Sequence, residues 1–284
     1  MTVSGHRFRP RWRAGLFAFV VAAAGCSSAR SAAPSTGSGA QTSSAVSAPA
    51  SSTIPPELVT KLKAVTAITA LGDSVPYGTA CDCTPYPRLT GADVARVAGH
   101  PVGTSNDAVP GYRSGDVLGQ LEHDPIVIRR IEHSQAVTVE VGANDVAHSS
   151  ACGTNIGCYE QKVPQIDSNL KAIVAQIHHL TAGHRVAVVL LDYWSVWLGG
   201  EYAAAQGQTY VDAAAAVTTS VNDTIKAVAQ ATDAIDVDLR EAFHGPDRAW
   251  DETHLLASDG DHPNAAGHTR IAEAVAQAVA AFQE

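Results

Sequence analysis

Short β-rich runs that alternate with longer helical stretches are the feature that most constrains the fold of this chain. Two of the runs, AVTVEV at 136–141 and VAVVLL at 186–191, are too apolar for a sheet with one solvent-exposed face. They indicate strands that are buried on both sides. Strand, helix and strand repeated in this way predict a single three-layer α/β/α domain with a mostly parallel central sheet.

The same patterns assign the strands and helices by residue number. Strands are predicted at 65–71, 136–141, 186–191 and 234–239, with a weaker one near 102. Helices are predicted at 86–98, 114–122, 126–132, 159–181, 208–231 and 264–282. Together they predict one folded domain over residues 57–284. With 45% hydrophobic residues in 284, the chain can bury one substantial core.

The N-terminus has the pattern of an export signal. Four arginines precede a short apolar run at 16–24 that ends in small residues. Such a run is too short to span a bilayer as a mature helix and is typical of a secretory signal peptide. Its ending, AAGC, resembles the bacterial lipobox, although Ala23 stands where leucine is more usual. We therefore expect residues 1–26 to direct export and Cys26 to be lipidated. Ordinary cleavage nearby, with loss of Cys26, is the alternative.

A low-complexity segment follows the signal. In residues 27–56, 26 of 30 are Ser, Ala, Thr, Pro or Gly, which leaves almost nothing to bury. This composition predicts a disordered tether with a reach of about 30 Å. Without the signal, 15 basic residues face 28 acidic ones, a balance that argues against nucleic acid or an anionic surface as a partner. We expect a monomer that is tethered to the outward face of the cell membrane or secreted.

Four cysteines remain in the predicted domain: Cys81, Cys83, Cys152 and Cys158. In an exported protein an even number predicts disulfides, and four cysteines allow three pairings. Cys152 and Cys158 can close a short loop easily, whereas a bridge between Cys81 and Cys83 would be a tight ring, so pairing between the two loops stays open. The strings CDC and CGTNIGC lack the usual zinc spacings, so we expect no metal site.

Polar, reactive side chains occur in four segments next to predicted strands or the last helix. GDS at 72–74 and GAND at 142–145 each follow a strand, as does DYWSVW at 192–197, while SDGDHPN at 258–264 precedes the last helix. In a parallel sheet, ligands bind outside the carboxyl ends of the strands. The sequence therefore predicts that these four segments meet at one edge of the sheet.

Three of these segments, with one loop, resemble the marker blocks of the SGNH or GDSL hydrolase superfamily. The resemblance covers residues 65–282. It implies a flavodoxin-like α/β/α fold and an esterase or lipase that needs no cofactor. One departure is the two-cysteine loop in GDSVPYGTACDCTPYPRL, which the family does not require. The blocks carry Ser74 in GDS, Gly111 in NDAVPGYRSGD, Asn144 in GAND and His262 in DGDH.

A nucleophile, a base and an orienting acid can be assigned within these blocks. The hydroxyl of Ser74 is a weak nucleophile, and His262 is the candidate base because neutral imidazole is basic at neutral pH. The ring needs an acceptor on its other nitrogen. Residues three apart in a helical turn share a face, so Asp259 and not Asp261 is predicted to orient the ring. Pro263 is predicted to start the last helix, where its missing N–H costs nothing.

Attack on a carbonyl creates an oxyanion, which needs hydrogen-bond donors aimed at it. By resemblance, these donors are the backbone N–H of Ser74, the backbone N–H of Gly111 and the side-chain amide of Asn144. Glycine lets the chain approach closely, and an amide offers donors without a charge that would compete with the base. The neighbouring Asp73 and Asp145 are interpreted as acceptors of hydrogen bonds from loop backbones.

Four aromatic residues are candidates for substrate contact. Tyr193, Trp194 and Trp197 follow a strand at the active edge, and Trp250 precedes the Asp–His turn. Aromatic faces can stack on a sugar or line an acyl pocket, yet they also pack lids, so both interpretations stay open. The sequence contains no HExxH, P-loop, dinucleotide or GxSxG motif, which argues against zinc-protease, nucleotide-binding and α/β-hydrolase functions.

With the export signal, these residues predict a secreted or lipid-anchored serine esterase that cleaves carboxylic esters through an acyl-enzyme on Ser74. Its substrate would be a lipid, a simple ester or an O-acylated carbohydrate. Two alternatives remain, an acyltransferase that uses the same residues and a non-catalytic binding lipoprotein of the envelope. A catalytic function is favoured over a purely binding one, because all four residues that catalysis needs are present: Ser74, Asn144, Asp259 and His262.

Overall fold

Five parallel strands form the central sheet of the computed structural model, which describes residues 62–282. The sheet order is β2-β1-β3-β4-β5, and every neighbouring pair is parallel. The chain passes from β1 outward to β2 and then reverses to β3, so the topological switch point lies between β1 and β3, as in flavodoxin-like folds. The strands are β1 (Ala67–Gly72), β2 (Gly103–Asn106), β3 (Ala136–Glu140), β4 (Ala187–Leu191) and β5 (Ile235–Val237).

Helices connect the strands and cover both faces of the sheet. Two short 3₁₀ turns are also present, Ala143–Asp145 directly after β3 and Thr253–Leu255 between β5 and the C-terminal helix. The α-helices of the described region are α1 (Ser74–Tyr77), α2 (Tyr86–Ala98), α3 (Ser114–His123), α4 (Pro125–Glu132), α5 (Ile156–Glu160), α6 (Val163–Leu180), α7 (Gly200–Ala204), α8 (Gln208–Thr232), α9 (Leu239–His244) and α10 (Ala265–Ala281).

Two hydrophobic cores lie on opposite faces of the sheet. Every residue of β3 and β4 is buried, in agreement with the apolar runs from which these strands were predicted. Val188 and Leu190 pack with α3, α4, α6 and α8, whereas Val189 and Leu191 pack with α2, α9 and α10. This alternation follows from the two-residue period of a strand. The predicted three-layer α/β/α fold is confirmed.

The predicted helix at 159–181 is wrong in one respect, because it is two helices. α5 ends at Glu160 and α6 begins at Val163, with Pro164 in its first turn. A proline ring clashes with the carbonyl four residues earlier, here that of Glu160, and offers no N–H to it. The chain therefore breaks before Pro164 and starts a new helix, in which a first-turn proline is tolerated.

Three short helices, α1, α7 and α9, were not predicted because they span too few residues to show a hydrophobic period. The ends of α9 nevertheless carry helix-boundary residues. The side chain of Asp238 accepts the N–H of Glu241 at its start, and Gly245 follows its end with φ +76°. These are the N-cap and C-cap preferences of ordinary helices.

No helix within residues 62–282 is long and apolar enough to cross a bilayer. The predicted signal at 1–26, the lipidation site Cys26 and the tether at 27–56 all lie outside the described residues. They stay predictions from the sequence.

Candidate active site

Ser74 is positioned by a close approach of β1 to β3. It begins α1, two residues after Gly72 ends β1. Gly72 has φ +143°, and a Cβ at this position would lie 2.1 Å from the carbonyl oxygen of Glu140 on β3. The same carbonyl accepts the N–H of Asp73 at 3.1 Å. Only glycine permits this approach, so the glycine of the GDS block fixes where the serine backbone lies.

Asp73 is a buried acceptor beneath the serine. Its Oδ1 accepts the N–H of Val75 at 3.1 Å, and its Oδ2 accepts the hydroxyl of Tyr193 at 2.8 Å. Burial raises the pKa of Asp73 to about 6, against the lowering effect of these two hydrogen bonds. The interpretation of Asp73 as an acceptor from loop backbone is confirmed. The bond from Tyr193 adds a link between the ends of β1 and β4.

Asp259, the predicted partner of His262, lies beside the histidine in the structure. Oδ2 of Asp259 lies 2.7 Å from Nδ1 of His262, and Oδ1 accepts the backbone N–H groups of Asp261 and His262 at 3.2 and 3.1 Å. Partial burial would raise the pKa of Asp259, but the hydrogen bonds from His262 and from the two amides hold it below its usual range. Asp259 is therefore a carboxylate at neutral pH, and it holds the ring by one oxygen and the turn by the other.

The prediction that Pro263 starts the last helix is wrong. Pro263 pairs with Leu256 in an isolated antiparallel bridge, and the carbonyl of His262 accepts the N–H of Ala257 at 2.7 Å. Asn264 is the N-cap of α10, because its side chain accepts two N–H groups of the first turn. Asparagine satisfies these amides where proline cannot. The Asp–His turn is thus fixed to the segment around Leu256 as well as to the helix.

Asn144 lies in the 3₁₀ turn that follows β3. Its Nδ2 donates to the carbonyl of Tyr112 at 3.0 Å, which ties this turn to the loop that carries Gly111. Gly111 has φ +83°, a conformation that favours glycine. An asparagine side chain has two N–H donors, so one is left for a ligand after the bond to Tyr112.

Asp145, the next residue, is structural. Its Oδ2 accepts the N–H of Ser114 at 2.9 Å, and its Oδ1 accepts the Ser114 hydroxyl at 2.8 Å. This confirms the interpretation of Asp145 as an acceptor from a loop backbone. It also anchors the start of α3, and with it the Gly111 loop, to the turn that contains Asn144.

A single cavity of about 340 Å³ is lined by Ser74, Asn144 and His262. These residues come from segments that follow β1, follow β3 and precede α10, so the predicted convergence at one edge of the sheet is present. Gly111 and Asp259 are not part of the lining. Asp261 is, and burial raises the pKa of its carboxyl.

The aromatic candidates fall into two groups. Tyr193, Trp194 and Trp197 line the Ser74 cavity but are only 1–3% exposed, so they form its wall rather than an open stacking surface. Trp197 is further fixed by donating Nε1–H to the carbonyl of Val146 at 2.8 Å. Trp250 is 50% exposed and lines a neighbouring cavity of about 490 Å³ instead. The two cavities share Trp194, Ser195 and Leu198.

Two ring-bearing residues that line the cavity, His148 and Tyr210, were missed by the sequence reasoning. The exposed ring of His148 lies 4.8 Å from that of Trp197 and 5.2 Å from that of Tyr210, which comes from α8. Both line the Ser74 cavity. His148 follows Asn144 by four residues, and that proximity is the one signal that could have found it. Tyr210 belongs to a long helix whose docking on this site no local pattern reveals.

The structure pairs Cys81 with Cys83 and Cys152 with Cys158, so each loop closes on itself. The sequence had left this pairing open. Neither bridge contributes to the lining of the Ser74 cavity. Among the described residues, one group of potential metal ligands was found, in which Cys81, Cys83 and His268 bring their ligand atoms within 4.8 Å of one another.

Comparison with known families identifies the class of this protein. Residues 70–270 match the GDSL-like Lipase/Acylhydrolase family, and the chain belongs to that family. It is an SGNH-type hydrolase that acts on ester bonds, so the alternative of a non-catalytic binding protein is set aside. No curated protein is similar enough in sequence to match the chain.

Solved structures share the fold at low sequence identity. The lipase Lip_vut3 from a goat rumen metagenome is 17% identical, with a TM-score of 0.62 over 75% of this chain and 96% of that chain. An extracellular lipase from Streptomyces rimosus is 22% identical, with a TM-score of 0.57 over 75% and 99%. A mutant of Axe2, an acetyl-xylooligosaccharide esterase from Geobacillus stearothermophilus, is 18% identical, with a TM-score of 0.55 over 77% and 95%.

Proposed function

We propose that this chain is an exported esterase that cleaves esters of short acyl groups through an acyl-enzyme on Ser74. One observation carries the proposal. Ser74, Asn144 and His262 line one cavity, while Asp259 lies at hydrogen-bonding distance from the ring of His262. Export is proposed from the arginine-rich, apolar N-terminus, with Cys26 as the lipid-bearing residue.

Acylation begins when Oγ of Ser74 attacks the ester carbonyl carbon and its proton passes to Nε2 of His262. Asp259 keeps the other ring proton on Nδ1, which leaves the lone pair of Nε2 free to accept. Because the pKa of Asp259 is held low, its negative charge then stabilises the imidazolium. His262 returns the proton to the leaving alkoxide, so an alcohol departs and the acyl group stays on Ser74.

Deacylation repeats these steps with water. A water molecule gives a proton to Nε2 of His262 as its oxygen attacks the acyl carbon, and the proton returns to Oγ of Ser74 as the C–O bond breaks. A carboxylic acid is released and the enzyme is restored. Transfer to an alcohol instead of water would make the same site an acyltransferase.

Both tetrahedral intermediates carry an oxyanion that must be stabilised. We assign this role to the N–H groups of Ser74 and Gly111 and to the second N–H of Asn144. The bond from Asn144 to Tyr112 supports the assignment, because it holds the amide and the Gly111 loop together before substrate arrives. Donors fixed in advance need no reorganisation during the reaction, which is the source of their catalytic effect.

The walls of the cavity favour a small acyl group. Tyr193, Trp194 and Trp197 are almost wholly buried, and two of them are held by hydrogen bonds to Asp73 and Val146. A long hydrocarbon chain could enter only if these buried side chains repacked, which would cost about 1–3 kcal/mol or more. We therefore propose acetyl or similarly short esters as substrates.

The alcohol part of the substrate can occupy the neighbouring cavity that Trp250 lines. The neighbouring cavity offers the half-exposed ring of Trp250 together with the polar side chains of Glu201 and Arg240. An aromatic face beside polar groups suits a carbohydrate better than a second acyl chain. An O-acylated carbohydrate of the cell envelope is the substrate class that best fits both cavities and the proposed export.

Hydrolysis of p-nitrophenyl acetate, butyrate and palmitate by the purified protein tests the proposal. We expect turnover of acetate and butyrate, little of palmitate, and none by Ser74→Ala. Ser150→Ala, at an exposed serine outside the cavity, is the matched control and should retain wild-type rates. Labelling with a fluorophosphonate followed by peptide mass spectrometry should place the adduct on Ser74.

Two outcomes would contradict the proposal. If a folded Ser74→Ala variant kept its activity, the nucleophile would be another residue. If palmitate were the preferred ester, the short acyl pocket would be wrong. Product analysis with an added alcohol separates hydrolysis from acyl transfer, because a transferase yields a new ester in place of the acid.

A further inference from the structure

His148 is an exposed histidine that packs against two buried aromatic rings at the Ser74 cavity. The centroid of its ring lies 4.8 Å from that of Trp197, in an edge-to-face arrangement, and 5.2 Å from that of Tyr210. Trp197 is 3% exposed and Tyr210 is 8% exposed, and all three residues line the cavity. The imidazole therefore forms the solvent-facing end of an aromatic surface that begins inside the cavity.

The two inner rings are held in place by hydrogen bonds. Trp197 donates Nε1–H to the carbonyl of Val146 at 2.8 Å, and the hydroxyl of Tyr210 accepts the N–H of Leu198 at 3.2 Å. Neither ring can move away from a ligand without breaking its bond, and a buried polar group left unpaired is costly. Of the three rings, that of His148 is the exposed one, so a substitution there alters the mouth of the cavity with least effect on the core.

The backbone on both sides of His148 is anchored. Two residues before it, the carbonyl of Val146 accepts the bond from Trp197. In the residue after it, the N–H of Ser149 donates to the hydroxyl of Tyr159 at 3.1 Å. Tyr159 is fully buried, and the centroid of its ring lies 4.8 Å from that of Trp197. The position of the histidine is therefore fixed, although its ring is exposed.

The bridge between Cys152 and Cys158 closes the segment that carries the second anchor. The N–H of Cys152 donates to the carbonyl of Ser149 at 3.2 Å. Tyr159 follows Cys158, and its hydroxyl donates to the carbonyl of Gly153 at 2.9 Å. The bridge thus joins the two ends of the segment whose hydrogen bonds hold Ser149, the residue after the histidine.

We infer that His148 determines how long an acyl group the Ser74 site accepts, and that the Cys152–Cys158 bridge keeps the imidazole in position. The inference rests on the proposed function, because it concerns the acyl group bound beside Ser74. It assigns His148 the selection of substrate, and it assigns the bridge a positioning role that acts through the histidine.

The side of the cavity at His148 is the side on which an acyl chain could lengthen. The inner wall is closed by buried aromatic rings, and the boundary formed by Trp194, Ser195 and Leu198 leads to the cavity proposed for the alcohol part. A longer acyl chain would then extend past the imidazole, which lies against Trp197. We therefore expect the ring to act through its size rather than through a polar contact.

Relative rates on p-nitrophenyl acetate, butyrate and hexanoate test the inference in the purified protein. In His148→Ala, we expect the ratio of kcat/KM for hexanoate to that for butyrate to rise about tenfold, while kcat/KM for acetate stays close to wild type. This factor corresponds to about two more buried methylene groups. His148→Phe, which restores a ring, should return the ratio to the wild-type value. His123→Ala, at an exposed histidine outside the cavity lining, is the matched control.

Two double cysteine variants test the contribution of the bridge. Cys152→Ser with Cys158→Ser should raise the hexanoate-to-butyrate ratio in the same direction as His148→Ala, because the segment that holds the histidine loses its covalent closure. Cys81→Ser with Cys83→Ser also removes one bridge, but that bridge lies in another loop, so the ratio should stay at the wild-type value.

Tyr159→Phe supplies an independent test if the variant without the Cys152–Cys158 bridge does not fold. It removes the hydroxyl that bonds Ser149 and Gly153 but keeps the ring beside Trp197. The hexanoate-to-butyrate ratio should rise here too. A merely structural loss would instead lower kcat/KM for all three esters by the same factor.

Three results would overturn the inference. Folded His148→Ala could hydrolyse acetate normally with an unchanged ratio, which would show that the ring does not limit acyl length. His148→Phe could behave like His148→Ala, which would mean that a ring nitrogen binds the substrate. The loss of the Cys152–Cys158 bridge and of the Tyr159 hydroxyl could both leave the ratio unchanged, and the bridge would then have no positioning role. Failure of the wild-type protein to hydrolyse acetate is a different result, because it would contradict the proposed function itself.

Discussion

Asp259 holds His262 at two points, the ring through Oδ2 at 2.7 Å and the backbone N–H through Oδ1 at 3.1 Å. Asp259→Asn would keep the shape of the side chain but lose the charge and could favour the wrong ring tautomer. We expect kcat for p-nitrophenyl acetate to fall on the order of 10³–10⁴-fold, as for similar triads. Asp261→Asn, at a carboxyl that lines the cavity without holding the ring, should cost far less. Comparable losses in both variants would mean that the orienting acid has been misassigned.

Asn144→Ala should lower kcat on the order of 10²–10³-fold, because it removes one oxyanion donor. The substitution also frees the carbonyl of Tyr112, so thermal unfolding should be recorded beside the kinetics. Asn155→Ala, at an exposed residue whose side chain is not needed to cap α5, is the matched control. Near-normal turnover in a folded Asn144→Ala variant would refute the assignment of the oxyanion hole.

Buried acids should make the protein less stable as pH rises. Burial, with the charge of Asp238 next in size, raises the pKa of Asp192 to about 8. Between about pH 4 and pH 8 the native state therefore holds a proton that the unfolded chain has released. The stability that this proton contributes is fully present below about pH 4 and is lost by about pH 8. Over that range the free energy of unfolding falls by on the order of 5 kcal/mol at most.

Asp192→Asn tests this dependence, since an amide keeps the oxygen that accepts the N–H groups of Leu239 and Arg240 but does not titrate. Urea unfolding at pH 4, 6 and 8 should show a flatter profile in this variant than in the wild type. Asp223→Asn, at an exposed carboxyl, should leave the wild-type slope unchanged. A slope that is the same in all three proteins would show that Asp192 titrates normally.

Two glycine substitutions should have opposite effects. Gly72→Ala would place a Cβ 2.1 Å from a backbone oxygen of Glu140 at φ +143°, so we expect a loss of several kcal/mol or failure to fold. Gly119→Ala lies within α3, where an added Cβ meets nothing within 4 Å, and should stabilise by about 0.5–1 kcal/mol. Urea unfolding of both variants measures the difference. A soluble Gly72→Ala protein of wild-type stability would show that β1 and β3 can separate there.

The parts of this site that follow from sequence are those set by short-range rules. Ser74 lies two residues after β1 and Asn144 lies four residues after β3, and the carboxyl ends of parallel strands lie at one edge of the sheet whatever the conformation of the loops. The choice of Asp259 over Asp261 needed only the geometry of one turn. The single helix predicted at 159–181 missed the break before Pro164, although this break depends only on one proline and the carbonyl four positions earlier.

What sequence could not supply is the packing of distant segments. Trp250 lies only 12 residues before His262, yet its ring faces a different cavity, because the chain between them folds back through a 3₁₀ turn. Tyr210 reaches the Ser74 cavity because α8 docks beside it. The pairing of the four cysteines likewise depends on which loops lie together, and spacing alone leaves it open.

Trp194 is the one aromatic side chain common to the linings of both cavities, and its ring is stacked on that of Phe243 at 4.4 Å. The boundary between the proposed acyl-binding cavity and the cavity beside Trp250 is thus formed by this indole together with Ser195 and Leu198. We expect a small side chain in place of that indole to widen the opening between the two cavities. We therefore expect a single substitution at this position to change which esters the proposed site accepts, while Ser74 and His262 stay in place.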